Sequence, residues 1–94
     1  MSVHLERLVE IALRDVLDPE MGRSVVDLGL IYAIEAEPSG SVAITMTTTT
    51  RGCPLAAFLK EAIAMAAGAV EGVRNVAVTL TYEPAWVPAM IAAE

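Results

Sequence analysis

The chain has 94 residues, of which 55% are hydrophobic and 19% charged, and its formal net charge at pH 7 is -6. This length predicts a single domain, residues 1–94, and the negative charge argues against nucleic-acid binding, which uses a basic surface, and against a basic membrane-surface helix. One cysteine and one histidine exclude a disulfide framework and a zinc site made by one chain, which needs about four ligands.

The N-terminal residues predict the first helix, over residues 3–17. Ser2 is a candidate N-cap, and Asp18-Pro19 is predicted to end the helix, because a residue before proline avoids helical backbone angles. A loop is expected to follow, as far as Gly29. The apolar residues at helical spacing are Leu5, Leu8, Val9, Ala12 and Val16.

The middle of the chain predicts a hairpin and then a second helix. Residues 30–36 and 41–48 have strand character and are separated by the turn signal Pro38-Ser39-Gly40. Gly52-Cys53-Pro54 is predicted to open a helix that reaches about Val70, with proline at its first position. Its predicted apolar stripe consists of Leu55, Phe58, Leu59, Ala62, Ile63, Ala66 and Val70.

Residues 73–82 alternate between apolar and polar side chains and predict a third strand. The predicted order is therefore αββαβ, with a core of about residues 3–82 and a Pro-rich tail of residues 83–94. Two helices on one face of a small three-stranded sheet give a two-layer α+β domain. Because the second helix carries the chain back between the last two strands, we expect these strands to be parallel and the sheet to be mixed.

Targeting and membrane signals are not recognisable in the sequence. The N-terminus lacks the basic and apolar regions of a signal peptide, and the longest apolar stretch, residues 62–70, is less than half of the roughly 20 residues that a membrane span needs. We therefore expect a cytoplasmic protein.

Cys53 is the main chemical candidate. At the predicted start of a helix, free backbone N–H groups and the helix dipole favour the thiolate, which binds metals and attacks electrophiles. Gly52 allows a ligand to approach the backbone closely, and Arg51 adds positive charge if its side chain points inward. The residues leave open the alternative that Cys53 is a small buried hydrophobic residue.

Other polar residues have both a functional and a structural interpretation. Thr47 and Thr49 share one face of an extended segment and are candidates to bind a ligand or cap the second helix, but threonine is also favoured in strands. Asp18, Glu20 and Asp27 are loop carboxylates, suited to a hard cation or to acid–base chemistry and equally common in turns.

The tail contains the single tryptophan of the chain, Trp86. An isolated tryptophan in a Pro-rich tail either folds back over its own domain or anchors a partner. Folding back is the commoner of the two outcomes, and the sequence leaves the position of the tail open.

Three blocks of sequence carry a resemblance to a known family. In order they are Asp18-Pro19-Glu20 with Ser24-Val25-Val26-Asp27-Leu28-Gly29-Leu30-Ile31-Tyr32, Met46-Thr47-Thr48-Thr49 with Gly52-Cys53-Pro54, and Tyr82-Glu83-Pro84-Ala85-Trp86. The ordered set, over about residues 5–91, resembles the PaaD-like and SufT-like family of small iron–sulfur cluster assembly domains. The resemblance implies an α+β fold of that type and an accessory role in the maturation of iron–sulfur proteins.

The resemblance also implies site residues. The positions that match those of the family are Cys53, Thr49, Asp18, Glu20 and Asp27. Cys53 is implied to ligate iron or a transient iron–sulfur cluster, with Thr49 and the backbone at Gly52 shaping the site and the carboxylates lining it. Clusters are usually held by about four thiolates, so a homodimer, another protein or an exogenous thiol is expected to complete the site. The expected partners are the assembly machinery or apo-client proteins, not nucleic acid or a membrane.

Two departures from the family and two other functions bear on this interpretation. The chain has Pro84-Ala85-Trp86 where the family usually has Pro-Pro-Trp, and it stops at Glu94 without the cysteine-rich extension of the PaaD proteins proper, which argues against phenylacetate oxygenase maturation.

A thiol enzyme that pairs Cys53 with a carboxylate is one alternative, although His4 is badly placed as its base. The other is an adaptor that binds an apo-protein or the assembly machinery without holding metal.

Overall fold

The computed structural model describes residues 2–92. In chain order the elements are α1 (Val3–Leu13), β1 (Leu17–Asp18), β2 (Arg23–Ser24), β3 (Ile31–Ala36), β4 (Ser41–Met46), α2 (Ala56–Gly68), β5 (Asn75–Leu80) and a short 3-10 helix (Pro88–Met90). No helix within residues 2–92 combines the length and the apolar character needed to cross a membrane.

The main sheet has the order β3-β4-β5, with β4 in the centre. β3 runs antiparallel to β4 and β5 runs parallel to it, so that Val42 lies opposite Ala36 on one side and Val76 on the other. The predicted hairpin and mixed sheet are confirmed. The hairpin turn needs glycine at Gly40, where φ is +98° and a Cβ atom would lie 2.6 Å from the carbonyl oxygen of Gly72.

The two helices cover one face of this sheet, as predicted. α1 contacts β3 and α2, and α2 contacts β5. The buried side chains of the central strand therefore face both helices, which forms a single apolar layer between sheet and helices. The strand and helix residues that form this layer are Val42, Ile44, Met46, Leu5, Val9, Leu13, Leu59, Ile63 and Ala67.

The first helix is shorter than the sequence predicts. Ser2 caps it, since its Oγ accepts the N–H of Leu5 at 3.2 Å. The helix ends at Leu13, because the following residues become extended and β1 pairs with β2, with Leu17 opposite Ser24. The segment predicted as a loop therefore contains a small antiparallel sheet. On the helix itself, the i, i+4 row from Leu5 to Leu13 is buried, whereas Leu8 is exposed.

The second helix begins later and is rotated relative to the predicted stripe. It starts at Ala56, after a turn in which the N–H of Ala56 donates to the carbonyl of Cys53 at 3.0 Å. Its buried row is Leu59–Ile63–Ala67. Phe58, predicted to be a core residue, is 56% exposed. The prediction failed here because nearly every position of this helix is apolar, so the pattern does not define one face.

Ile63→Ala tests this packing. Ile63 is fully buried, so we expect the substitution to lower the free energy of unfolding by about 2–5 kcal/mol, measured by urea titration. Met65→Ala is the matched control on the same helix, since Met65 is 69% exposed, and its effect should stay within about 0.5 kcal/mol. Equal losses in the two variants would contradict the described orientation of α2.

Candidate functional site

Cys53 lies in the segment that joins β4 to α2, which we call the thiol loop (residues 47–55). Its side chain is half-buried, while its neighbours Gly52 and Pro54 are exposed. Gly52 has φ +70°, and a Cβ atom there would meet nothing within 4 Å. The thiol therefore lies at the surface, where a second molecule can reach it.

The threonines before Cys53 are mainly structural. Thr47 is fully buried, and its N–H donates to the carbonyl of Leu30 at 2.8 Å. The hydroxyl of Thr48 donates to the carbonyl of Thr50 at 2.7 Å. Thr49 is half-buried. The suggestion that a threonine caps the second helix is wrong, because the N-cap of α2 is Leu55 and no side-chain hydrogen bond caps it.

Tyr82, two residues beyond β5, contacts the thiol loop at three points. Its hydroxyl lies 2.6 Å from the Thr48 hydroxyl and 3.5 Å from the Thr50 carbonyl. The Arg51 guanidinium lies over its ring, 4.9 Å from the centroid. The side chain of Arg51 is thus stacked on Tyr82. Sequence reasoning missed Tyr82, because its place in the alternating strand pattern made it look like an ordinary half-buried strand residue.

The predicted acidic residues occupy two different loops. Asp18 is 4% exposed, and its Oδ1 accepts the N–H groups of Glu20 at 2.8 Å and Met21 at 3.2 Å, which closes the turn between β1 and β2. Glu20 is exposed. Asp27 lies after β2, and its Oδ1 is 3.4 Å from Nη1 of Arg14. The carboxylate of Asp18 is therefore already engaged by the backbone of its own turn.

The loop of Asp27 and the thiol loop lie at the same end of the sheet, joined by the hydrogen bond from Thr47 to Leu30. Across residues 2–92, however, no group of three or more His, Cys, Asp or Glu side chains is arranged to hold a metal ion. The single cysteine of the chain is one thiol, whereas an iron–sulfur cluster usually requires about four thiolates. The role of each predicted site residue stays a prediction.

The tail folds back onto the domain, which is the commoner of the two arrangements that the sequence left open for Trp86. Its indole N–H donates to the carbonyl of Leu28 at 2.7 Å, and the Tyr32 hydroxyl donates to the carbonyl of Pro84 at 2.8 Å. Farther along, the N–H of Ala92 donates to the carbonyl of Asp27 at 2.7 Å. Residues 93 and 94 of the predicted tail lie outside the described residues.

These contacts bring the three sequence blocks together at one end of the sheet. The first and third blocks meet where Trp86 contacts Leu28, and the second and third meet where Tyr82 contacts Thr48. The first and second meet at the hydrogen bond from Thr47 to the carbonyl of Leu30. Each block therefore touches both of the others.

Comparison with known proteins agrees with this arrangement. Residues 6–80 match the family described as "Iron-sulfur cluster assembly protein". The chain belongs to this family. The predicted family is thereby confirmed.

Individual members of the family support the assignment. The chain is 44% identical over 82 residues to a "Fe-S protein maturation auxiliary factor" of Porphyromonas gingivalis, covering 87% of this chain and 78% of the relative. Its fold is similar to a domain of unknown function from Bacillus anthracis, with a TM-score of 0.90, 30% identity, and coverage of 94% of this chain and 84% of the other. A conserved hypothetical protein from Thermotoga maritima gives a TM-score of 0.83 at 40% identity, with coverage of 93% and 85%.

Gly29→Ala tests the docking of the tail. Gly29 has φ +75°, and a Cβ atom there would collide with the backbone carbonyl and the Cβ of Met90 in the tail. We expect the free energy of unfolding of this variant to fall by about 1–2 kcal/mol because alanine is strained in the left-handed backbone conformation. The collision with the tail should lower it by about 1–3 kcal/mol more. The emission of Trp86, the single tryptophan, should shift to longer wavelength as the tail loosens.

Gly22→Ala is the control for this experiment. Gly22 has φ +66°, but a Cβ atom there meets nothing within 4 Å. In this variant the free energy of unfolding should fall only by the cost of placing alanine in the left-handed backbone conformation, and the Trp86 emission should stay unchanged. The same emission shift in both variants would contradict the described contact between Gly29 and the tail.

Proposed function

We propose that this protein is an accessory factor in the maturation of iron–sulfur proteins, and that Cys53 is a labile ligand or transfer contact for iron or an iron–sulfur cluster. The observation that carries the proposal is the family match over residues 6–80, combined with the exposed setting of the single cysteine. The metal is cargo in this proposal. The chain acts as one iron–sulfur-assembly-type domain in the cytoplasm, where thiols stay reduced.

The proposed site is centred on the thiolate of Cys53. The thiolate binds iron, and the backbone at Gly52 leaves room for the cargo because no side chain projects there. Thr49 borders the site within the same loop. The exposed carboxylate of Glu20 attracts iron, with Asp18 holding the turn that carries it, and Asp27 contributes negative charge that is partly neutralised by its contact with Arg14.

A second molecule completes the ligand set. One chain supplies one thiolate, and a cluster usually needs about four, so the other ligands come from an apo-client, a protein of the assembly machinery, a second copy of the chain or an exogenous thiol. The exposed flanks of Cys53 allow such ligands to approach. An incomplete ligand set holds its cargo weakly, which suits transfer rather than storage.

An adaptor that never holds metal is the second candidate. Phe58 is 56% exposed within the first turn of α2, immediately after the thiol loop, and an exposed aromatic side chain is typical of protein-docking surfaces. In this function the protein would bring a client to the assembly machinery, and Cys53 would not be needed for metal binding.

A thiol enzyme is disfavoured by the position of the single histidine. His4 lies in the first turn of α1, whose N-terminus is tied to the C-terminal end of β3 by the hydrogen bond from Ser2 to Ala36. Cys53 follows the opposite end of the sheet, and a six-residue strand spans about 20 Å at ~3.3 Å per residue. His4 is thus not placed to take a proton from Cys53.

Cys53→Ser tests the proposed function. After anaerobic reconstitution with iron, sulfide and a low-molecular-weight thiol, the wild-type protein should show visible charge-transfer absorption and protein-bound iron. Cys53→Ser should lose most of both, because a serine hydroxyl is a far poorer ligand for iron than a thiolate. An iron chelator should remove the wild-type metal readily, since one chain supplies one thiolate.

Thr50→Ser provides a control in the same loop, since Thr50 is exposed and its contacts are made by its backbone carbonyl. This variant should load iron like the wild type. Equal loading of wild type and Cys53→Ser, or no loading of either, would remove the carrier function and favour the adaptor. Sedimentation of the loaded protein would show whether a second copy completes the site.

A further inference from the structure

The path of the thiol loop depends on side-chain contacts more than on regular structure. The loop leaves β4 at Met46 and enters α2 at Ala56. Backbone hydrogen bonds hold its two ends, from Thr47 to Leu30 and from Ala56 to Cys53, while the residues between these ends belong to no helix or strand. Three contacts instead join the first half of the loop to Tyr82: at Thr48, at the carbonyl of Thr50 and at Arg51.

The hydroxyl groups form a short directed chain. A hydroxyl has one hydrogen to donate, and the hydroxyl of Thr48 donates it to the carbonyl of Thr50 at 2.7 Å. With that hydrogen engaged, the Tyr82 hydroxyl donates to Thr48 across 2.6 Å, and its 3.5 Å approach to the Thr50 carbonyl is the weaker branch of the same donation. Thr48 is 2% exposed, so water competes poorly for these hydrogen bonds and they hold the loop more effectively than they would at the surface.

The ring of Tyr82 makes a separate contact. The Arg51 guanidinium lies 4.9 Å from the ring centroid, within the range of a cation–π interaction. The hydroxyl of Tyr82 therefore contacts the residues before Arg51, and its ring contacts Arg51 itself. Beyond this point Gly52, in the left-handed region, is the single residue between the fixed part of the loop and Cys53.

Tyr82 is itself held between two fixed segments. On its N-terminal side, the N–H of Thr81 donates to the carbonyl of Met46 at 2.9 Å, which continues the pairing of β5 with β4. On its C-terminal side, Pro84 and Trp86 are tied to Tyr32 and Leu28. The tyrosine side chain thus projects from a backbone that is anchored at both ends.

We propose that Tyr82 is a positioning residue for Cys53, which fixes the thiol loop through the hydroxyl of Thr48 and the guanidinium of Arg51. The purpose of this positioning by Tyr82, to present the thiolate to iron or a cluster, rests on the proposed function. The effect of Tyr82 on the conformation of the loop does not rest on that function and can be measured without metal.

Tyr82→Phe removes the hydroxyl and keeps the ring beneath Arg51. Loss of a hydrogen bond should raise the open population of the loop about fivefold, equivalent to about 1 kcal/mol. Trypsin cleavage after Arg51 and alkylation of Cys53 by iodoacetamide should both accelerate by about that factor, because local opening exposes both sites. Thr48→Val should reproduce the effect without adding to it in the double variant, and Thr48→Ser should restore the wild-type rates.

The chain offers two controls. Thr79→Val removes an exposed hydroxyl from β5, away from the contacts between Tyr82 and the thiol loop, and should leave both rates within twofold of wild type. Cleavage after Arg74, just before β5, reports general unfolding and should not accelerate in Tyr82→Phe. Unchanged rates in Tyr82→Phe, or equal acceleration at Arg51 and Arg74, would overturn the proposal.

Iron loading separates this proposal from the function on which it rests. If the wild type binds no iron while Tyr82→Phe still opens the loop, positioning by Tyr82 stands and the carrier function fails. If the wild type binds iron through Cys53 while Tyr82→Phe leaves loop opening unchanged, the carrier function stands and positioning fails. Where both hold, the visible spectrum of the loaded Tyr82→Phe protein should be weaker or altered, which a loss of global stability alone would not produce.

Discussion

The pairing of the central strand on both of its sides is the constraint on which the rest of the structure depends. β4 pairs with β5 along its whole length and with β3 from Val42 to Met46, with a register shift between Ile31 and Ala33, and it buries Val42 and Met46 under the helices. The pairing continues past its end, where the Thr47 N–H and the Met46 carbonyl are taken by neighbouring segments. Because the strand is held on both sides to its last residue, the thiol loop begins from a fixed point.

The tail belongs to the same assembly as the thiol loop. Trp86 and Leu28 are far apart in sequence, yet their hydrogen bond ties the tail to the segment that also receives Thr47. The tail therefore fixes Tyr82 from one side while β5 fixes it from the other. The three sequence blocks that meet around the thiol loop come from three separate parts of the chain, in line with family signals that are spread over nearly its whole length.

The chemistry of the site follows from having one thiol at an accessible position. The half-buried Cys53 has exposed neighbours, and the described residues provide no ready set of three metal ligands. A cluster bound through Cys53 would draw its other thiolates from a second molecule, because this chain supplies one and about four are usual. The contacts around the loop and the open surface at the thiol complement each other. The contacts support the loop that carries Cys53, and the open surface lets a second molecule reach its thiol.

The sequence by itself determined the order of the two helices and the three main strands, the mixed sheet and the family, because strand alternation, turn residues and short motifs are local signals. It misplaced the end of α1 and the exposure of Phe58, since pairing of Leu17 with Ser24 ended the helix and a uniformly apolar α2 has no unique face. Tertiary structure alone decided that Trp86 docks on Leu28 and that Tyr82 contacts the thiol loop, and it showed that Asp18 is engaged by its own turn, one of the arrangements the sequence left open. The docking of Trp86 and the contact of Tyr82 join residues distant in sequence, so side-chain spacing along the chain carries no record of these two contacts.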